Sequence, residues 1–251
     1  MAKFAPVVPA RILQEFKNHG VMGDYHLLLA HDIVKHPKEY EDLFLNDPMP
    51  KTVILDNSVI ELGGAVDLAV IIEAAAIVKP TTIVLPDVLT DTQGTIDACS
   101  KALNDWTDGF AKGNISPQFM IVPQGKSEAD WIRCAEYFAD DPRINFWGIP
   151  RLVVEYNMSR YGLATLTRAF NPNRTIHLLG FSNCVQDDIF SASNPHVFGI
   201  DSAVPIRAVT QKVPLTIAGL NNMPPRGDWF EAAQFNPEML VALHKARQWF
   251  K

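Results

Sequence analysis

Eight short apolar runs recur along the chain, each closing in a polar residue or a turn. They are Phe4–Pro9, Tyr25–His31, Thr52–Asp56, Thr81–Asp87, Phe119–Gly125, Phe146–Arg151, Thr175–Phe181 and His196–Asp201. Within them the apolar residues are consecutive rather than alternating, as expected of parallel strands covered on both faces. Amphipathic stretches with helix signals lie between. Ser127, with Asp130 three residues on, imitates a capping box before EADWIRCAEYF, and Asn236 followed by Pro237 reads as an N-cap with proline at the first helical position. Strand ends recur at roughly 20–40 residues, which suits βα units with their crossovers. Eight such units predict an α/β protein of the (β/α)8 TIM-barrel type. One barrel domain would span residues 1–251, with 208–251 as a C-terminal loop and helix extension. An open doubly wound sheet is the competing architecture, but no G-x-G-x-x-G follows the first strand and no Walker A pattern occurs.

Composition narrows the class. With 47% hydrophobic and 20% charged residues, and 22 basic against 28 acidic side chains for a net charge of −6, the chain is neither a disordered segment nor a histone-like polycation. Its three cysteines, Cys99, Cys134 and Cys184, are far apart and form no C-x-x-C pair, which removes the case for a structural zinc or a disulfide framework. The most apolar stretch, Ala65–Val78, is interrupted by Asp67 and Glu73 and is too short to span a bilayer. The opening residues lack the long apolar core of a signal peptide. The reading is a soluble, cytoplasmic protein with no membrane partner. Nothing in the sequence specifies its oligomeric state.

Barrel chemistry takes place at the carboxyl ends of the strands. The residues closing the runs include Asp56, Asp87, Gln124, Arg151 and Asp201, with glycines at Gly125, Gly148, Gly180 and Gly199. Each aspartate could simply cap the helix after its strand. Three of them converging on one rim would instead cost several kcal/mol unless something pairs with them, which points to function. The chemistry available is limited. No G-x-S-x-G elbow or Ser-His-Asp layout is present. His26 and His31, five apart in one apparent strand, would face opposite sides and could not both chelate, and His177 reads as a core histidine. No metal has positive support. What remains is carboxylate chemistry, with one aspartate as nucleophile at a sugar carbon and another transferring the proton.

The segments TVILDNSVIELG, PDVLTD, VPQG, WGIPR, HLLGFS and GIDSAVPIR fall in the order of the barrel motifs of the tRNA-guanine transglycosylase superfamily. The chain most resembles the compact, phage-type members that exchange guanine for a 7-deazaguanine in DNA. The resemblance runs from about Phe4 to Arg207. Its most specific part is an Asp, three small or apolar residues, then Pro-x-Arg, filled here from Asp201 to Arg207. By that match Asp201 is the nucleophile and Asp56 the general acid/base, while Asp87 and Gln124 read the guanine edge. Gly125 and Gly148 would lie near the base. The zinc-binding subdomain of the tRNA enzymes has no counterpart after Arg207. The resemblance therefore implies DNA and a free 7-deazaguanine (preQ0- or preQ1-like) as partners, and no cofactor. The turn after Asp56 reads Asn-Ser-Val-Ile instead of the family's small or glycine-rich sequence.

Phosphate contacts usually dominate nucleic-acid affinity, so a net charge of −6 requires an uneven distribution. Arg151, Arg160, Arg168, Arg174, Arg207 and Arg226, with Lys126, all lie in the later half and could form a basic rim, or else solvated helix faces. Arg151, Arg207 and Lys126 are the candidates for the nucleic-acid backbone. The Pro/Asn/Gly-rich stretch Lys212–Asp228 is either a groove or lid element or a connection to the last helix. Phe146, Trp147 and Phe181 could stack on a flipped base or pack the core, and Tyr25 and Met158 face the same choice. Three other readings stay open: a tRNA-guanine transglycosylase-like enzyme on RNA, a nucleoside or DNA glycosidase using the same carboxylates, and a non-catalytic nucleic-acid-binding barrel.

Overall fold

The computed structural model describes residues 1–44, 52–112 and 116–250. Eight strands alternate with helices: β1 (Lys3–Pro6), β2 (His26–Leu29), β3 (Val53–Asp56), β4 (Thr82–Val84), β5 (Gln118–Ile121), β6 (Ile144–Pro150), β7 (Thr175–Leu179) and β8 (Val197–Ser202). All paired strands are parallel, in the order β1-β8-β7-β6-β5-β4-β3-β2. The architecture is a (β/α)8 TIM barrel with a seam between β1 and β2.

Most strands are shorter than the apolar runs that announce them. Pro86 and Pro123 carry no N–H and cannot extend a ladder, so β4 and β5 stop before them and leave Asp87 and Gln124 in the turns just beyond. The run Tyr25–His31 divides. Its strand ends at Leu29, and the helix Ala30–Lys35 starts at once with Asp32 in its first turn, where the helix dipole favours a carboxylate. His26 and His31 therefore sit on a strand and a helix rather than on opposite faces of one strand, which corrects the sequence expectation. The Ser127 cap forms as expected, while the Asn236 cap is displaced by one residue. Ser127 Oγ accepts the Asp130 N–H at 3.2 Å. Asn236 Oδ1 accepts the Glu238 N–H at 2.9 Å, although Pro237 takes the cap position and the helix runs Glu238–Trp249.

A side chain closes the seam. The Asp24 N–H donates to Phe4 O at 2.9 Å, and the Phe4 N–H donates to Asp24 Oδ2 at 3.0 Å, so a carboxylate supplies the acceptor that a neighbouring strand would offer. Arg247, on the helix Glu238–Trp249, donates from Nε and Nη2 to Asp24 Oδ1 at 2.9 and 2.5 Å. Phe250 stacks on Phe4 with ring centroids 5.8 Å apart. Arg11, on the helix Ala10–Asn18, donates to the carbonyls of Phe230, Glu231 and Ala233. Residues after the last strand are thus tied back onto the first βα unit. Inside the barrel, Tyr25, His177, Phe146 and Phe198 form an aromatic layer with ring contacts of 5.0 to 5.8 Å. Trp147 packs instead against Phe170 of the helix Arg160–Phe170. Among the described residues no helix is long and apolar enough to cross a membrane.

Asp24→Ala strands the Phe4 N–H at the seam and removes the partner of Arg247. We expect it to lower unfolding free energy by about 1–3 kcal/mol in urea titration, and Asp24→Asn, which keeps the acceptor, by less. Equal losses in the two variants would mean that the seam hydrogen bond contributes nothing.

Candidate active site

The carboxyl ends of the strands open into a cavity of about 390 Å³. Asp56, Asp87, Gln124 and Asp201 all line it, with Arg151 and Arg207. Four separate strands or their following turns deliver the first four, so their meeting is a product of barrel closure. Apolar walls come from residues such as Leu27, Val84, Val122 and Leu179.

Each acidic group is held by groups from its own or a neighbouring turn. Asp56 ends β3, and its Oδ2 accepts the Ser58 N–H at 2.8 Å. Ser58 reaches that position with φ of 62°, in the left-handed region that a side chain seldom adopts. Between them, Asn57 is buried and fully engaged. Its Nδ2 donates to Leu85 O and to Asp87 Oδ1, both at 2.8 Å, and its Oδ1 accepts the Val59 N–H at 3.1 Å. The other Asp87 oxygen, Oδ2, accepts from Gln124 Nε2 at 2.6 Å, while Gln124 Oε1 accepts the Thr90 N–H at 3.1 Å. Thr90, a β-branched residue, also has positive φ, at 64°. Asp201 lies in β8, where its Oδ1 accepts the Gly180 N–H at 3.3 Å and stands 3.8 Å from His177 Nδ1.

Burial dominates the electrostatics. It pushes Asp87 up to about 6, against the hydrogen bonds from Asn57 and Gln124. It pushes Asp201 up to about 7, opposed by the Gly180 N–H and the Arg160 guanidinium. Asp56 is raised well above the usual carboxylate range by the same desolvation and by the nearby Glu61 charge. Each of the three carboxyls therefore holds its proton to a higher pH than an exposed carboxylate would.

Cations occupy one side of the same mouth. Arg151 opens the 3₁₀ turn Arg151–Tyr156 after β6, and its stem lies against Gly180. Arg207, on the helix Val204–Thr210, has a buried Nε with no hydrogen-bond partner. Its pKa is lowered by desolvation and by the charges of Arg226 and Arg151. Arg226 also lines the cavity and forms an ion pair with Glu61 at 2.5 Å, bridging the stretch after residue 221 to the turn after β3. The segment Lys212–Asp228 thus supplies part of the cavity wall, including Leu220, Asn221 and Met223.

Other expectations need correction. Arg160 is not on the rim. It is fully buried, donating to Asp188 Oδ1 at 2.7 Å, Gly180 O at 2.8 Å and Ile149 O at 2.8 Å, and so tying together the ends of β6 and β7. Arg174 bonds the carbonyls of Ala139 and Asp141 at the amino ends of the strands, and Arg168 donates to Pro172 O just past the end of its own helix. Gly125, Gly148 and Lys126 are absent from the cavity lining. A Cβ on Gly125 would come within 2.7 Å of Trp131 N, so this glycine serves the close approach of the helix Glu128–Tyr137. Gly148 makes room for Leu179 and Val122. Of the candidate stacking rings, only Phe181 lines the cavity. Sequence reasoning missed Asn57 and Glu61 as site residues; the departure of Asn-Ser-Val-Ile from the glycine-rich turn was the available signal. Among the described residues no three His, Cys, Asp or Glu side chains come together as a group that could hold a metal ion.

Fold and site together define a TIM barrel whose mouth is lined by desolvated carboxylates and by the guanidinium groups of Arg151, Arg207 and Arg226. No protein-family model matches the chain, and no curated protein sequence matches it. Among solved structures, orotidine 5′-monophosphate decarboxylase from Sulfolobus solfataricus matches with a TM-score of 0.52 at 10% identity, over 100% of this chain and 98% of that one. Identity that low establishes the shared barrel and no more.

Raised carboxylate pKa values are a cost to folding that grows with pH. Between pH of about 4 and 7, native Asp201 keeps a proton that the unfolded chain has released, so stability falls as pH rises through that window. Asp201→Asn removes this term. We expect the variant to be more stable than the parent at pH 8 by up to about 4 kcal/mol, and indistinguishable near pH 4, in parallel denaturation series. A pH-independent difference would show that Asp201 is ionised normally.

Proposed function

We propose that this chain is a base-exchanging transglycosylase that replaces guanine in DNA with a free 7-deazaguanine through a covalent aspartyl-sugar intermediate. The observation that carries this reading is the convergence of Asp56, the Asp87–Gln124 pair and Asp201 on one cavity at the barrel mouth. Its volume of about 390 Å³ is within the range of small-ligand pockets.

Hydrogen-bond arithmetic supports guanine as the ligand. Each Asp87 oxygen is used once, by Asn57 or Gln124, and each retains acceptor capacity. These oxygens suit the N1–H and 2-amino donors of guanine. Gln124 Nε2 spends one hydrogen on Asp87 and keeps a second for O6. Adenine reverses donor and acceptor on that edge and would leave buried polar groups unpaired. The pair is held rigidly before any ligand arrives, because Asn57 and Thr90 fix its outer ends.

Guanine must first leave the base stack, at a cost of a few kcal/mol. An Asp201 oxygen then bonds to C1′ as the glycosidic C–N bond breaks. The electron pair goes to the departing base, which takes a proton from Asp56. In the second displacement the incoming base loses its proton to Asp56, its nitrogen bonds C1′, and the Asp201 carboxylate leaves. Two inversions give net retention. The upward shift of Asp56, from burial and the Glu61 charge, suits the acid role. Arg151 and Arg207 line the same cavity, and Arg207 Nε has no hydrogen-bond partner among the described residues, which suits phosphates flanking the extruded nucleotide.

The test is nucleoside mass spectrometry of guanine-containing DNA incubated with the protein and each candidate 7-deazaguanine. Exchange is expected, and Asp201→Asn should reduce it by more than about 1,000-fold. Base release without replacement would make the protein a glycosidase instead. Because Asp201 attacks as a carboxylate, kcat/KM should fall as pH drops below about 7, and more steeply once Asp87 also protonates near 6. A flat profile from pH 5 to 8 contradicts these assignments.

A further inference from the structure

We infer that Tyr25 and His177 form a buried positioning pair that orients the Asp201 carboxylate from below. This rests on the reading of Asp201 as the nucleophile. His177 is in the middle of β7, and the register sets it opposite Gly199, two residues before Asp201 in β8. Residues two apart on a strand share a face, so His177 and Asp201 both point into the barrel, one layer apart. The strand on the other side places Gly148 opposite His177. Glycine on both neighbours leaves a void in this layer, and Tyr25 fills part of it. A Cβ on Gly199 would stand 2.8 Å from Tyr25 Cε1 and 2.9 Å from its hydroxyl.

The hydrogen-bond inventory fixes the imidazole tautomer. Tyr25 Oη and His177 Nε2 are 2.6 Å apart and buried. The phenol is the natural donor, since otherwise its hydrogen has no acceptor in the dry interior. The imidazole proton then resides on Nδ1. That nitrogen is buried, has no hydrogen-bond partner and stands 3.8 Å from Asp201 Oδ1. Against ionised Asp201, the form that attacks, the opposite tautomer would aim a lone pair at a carboxylate oxygen. Burial and the Arg160 charge hold His177 neutral, down to about 3, and desolvation raises Tyr25 well above its usual range, so neither ring ionises at working pH.

A gap of 3.8 Å exceeds a hydrogen bond, and the Gly180 N–H reaches the same Oδ1 at a long 3.3 Å. Catalytic contacts that are loose in an empty site tighten around substrate. Two N–H groups converging on Oδ1 assign that oxygen to the protein and leave Oδ2 to meet C1′. When the sugar ester is displaced by the incoming base, the same donors stabilise the departing carboxylate. Asp201 is also faced by Asp56 from β3, Glu61 from the helix Val59–Leu62 and Arg160 from the helix Arg160–Phe170. A pH measurement therefore compares variants that leave those groups intact.

Tyr25→Phe keeps the ring and removes only the hydroxyl. It should lower kcat for base exchange about tenfold with KM for DNA unchanged, and move the acidic limb of the pH–kcat/KM profile upward. His177→Leu should lose more, and His177→Asn, whose amide can present an N–H where Nδ1 stood, should recover part of the loss. A second readout needs no substrate: carboxyl-carbon NMR titration of Asp201 in the parent and in Tyr25→Phe, with an upward shift expected. If Tyr25→Phe melts like the parent and leaves both the limb and the titration unmoved, the positioning role is overturned. A titration shift in a protein that exchanges no base would retain the pair's hold on Asp201 and overturn the transglycosylase reading instead.

Discussion

Crowding of carboxylates in a poorly solvated barrel mouth is the constraint on which the rest of this structure turns. Asp56 feels the charges of both Asp87 and Asp201, and all three lose hydration, so each is raised in pKa chiefly by burial. Their neighbours are arranged around that problem. Ser58 and Gly180 offer backbone N–H groups, Asn57 and Gln124 offer amides, and Arg160 places an inaccessible positive charge below. None of these removes the desolvation. They orient the carboxylates while leaving lone pairs available to a ligand.

Two of the five described non-glycine residues with positive φ lie at the same place. Ser58 and Thr90 adopt positive φ without being glycine, and each presents its N–H to a site residue, Asp56 or Gln124. A turn that costs stability and at the same time aims a donor at a functional group fits a site built for preorganisation. Below it, the long-range ties are strong. The Asp24–Arg247 clamp at the seam and the carbonyls bound by Arg11 hold the final helices against the first unit. Arg226 and Glu61 bring the Pro-rich stretch to the cavity wall. The mouth is thus assembled from both ends of the chain.

The barrel supports many chemistries, and its likeness to a decarboxylase at 10% identity says nothing about which one operates here. Side chains, not the barrel, carry the chemistry. Under the proposed function, the Asp87 acceptors beside one remaining amide donor match a guanine edge, and Arg207, whose Nε has no hydrogen-bond partner among the described residues, matches phosphate. That juxtaposition is more specific to a nucleotide than either wall alone.

Consecutive apolar runs at regular spacing were enough to specify eight covered parallel strands, because burial on both faces demands that pattern wherever the strands end up. The polar residues closing the runs were also legible, and Asp56, Asp87, Gln124 and Asp201 could be named from their positions alone. Local sequence could not separate Arg160 from Arg151 and Arg207. Whether an arginine points into the barrel wall or into the cavity depends on the direction of its helix and on Asp188, 28 residues away. Gly125 and Gly148 looked like site residues for a similar reason, yet a neighbouring helix and neighbouring side chains require their bareness. Asn57 holding Asp87 from beside Asp56, across 30 positions, and His177 between Tyr25 and Asp201, 152 positions from the tyrosine, depend on strand register. Periodicity records what each residue needs from its environment; only closure of the barrel decides which distant residue provides it.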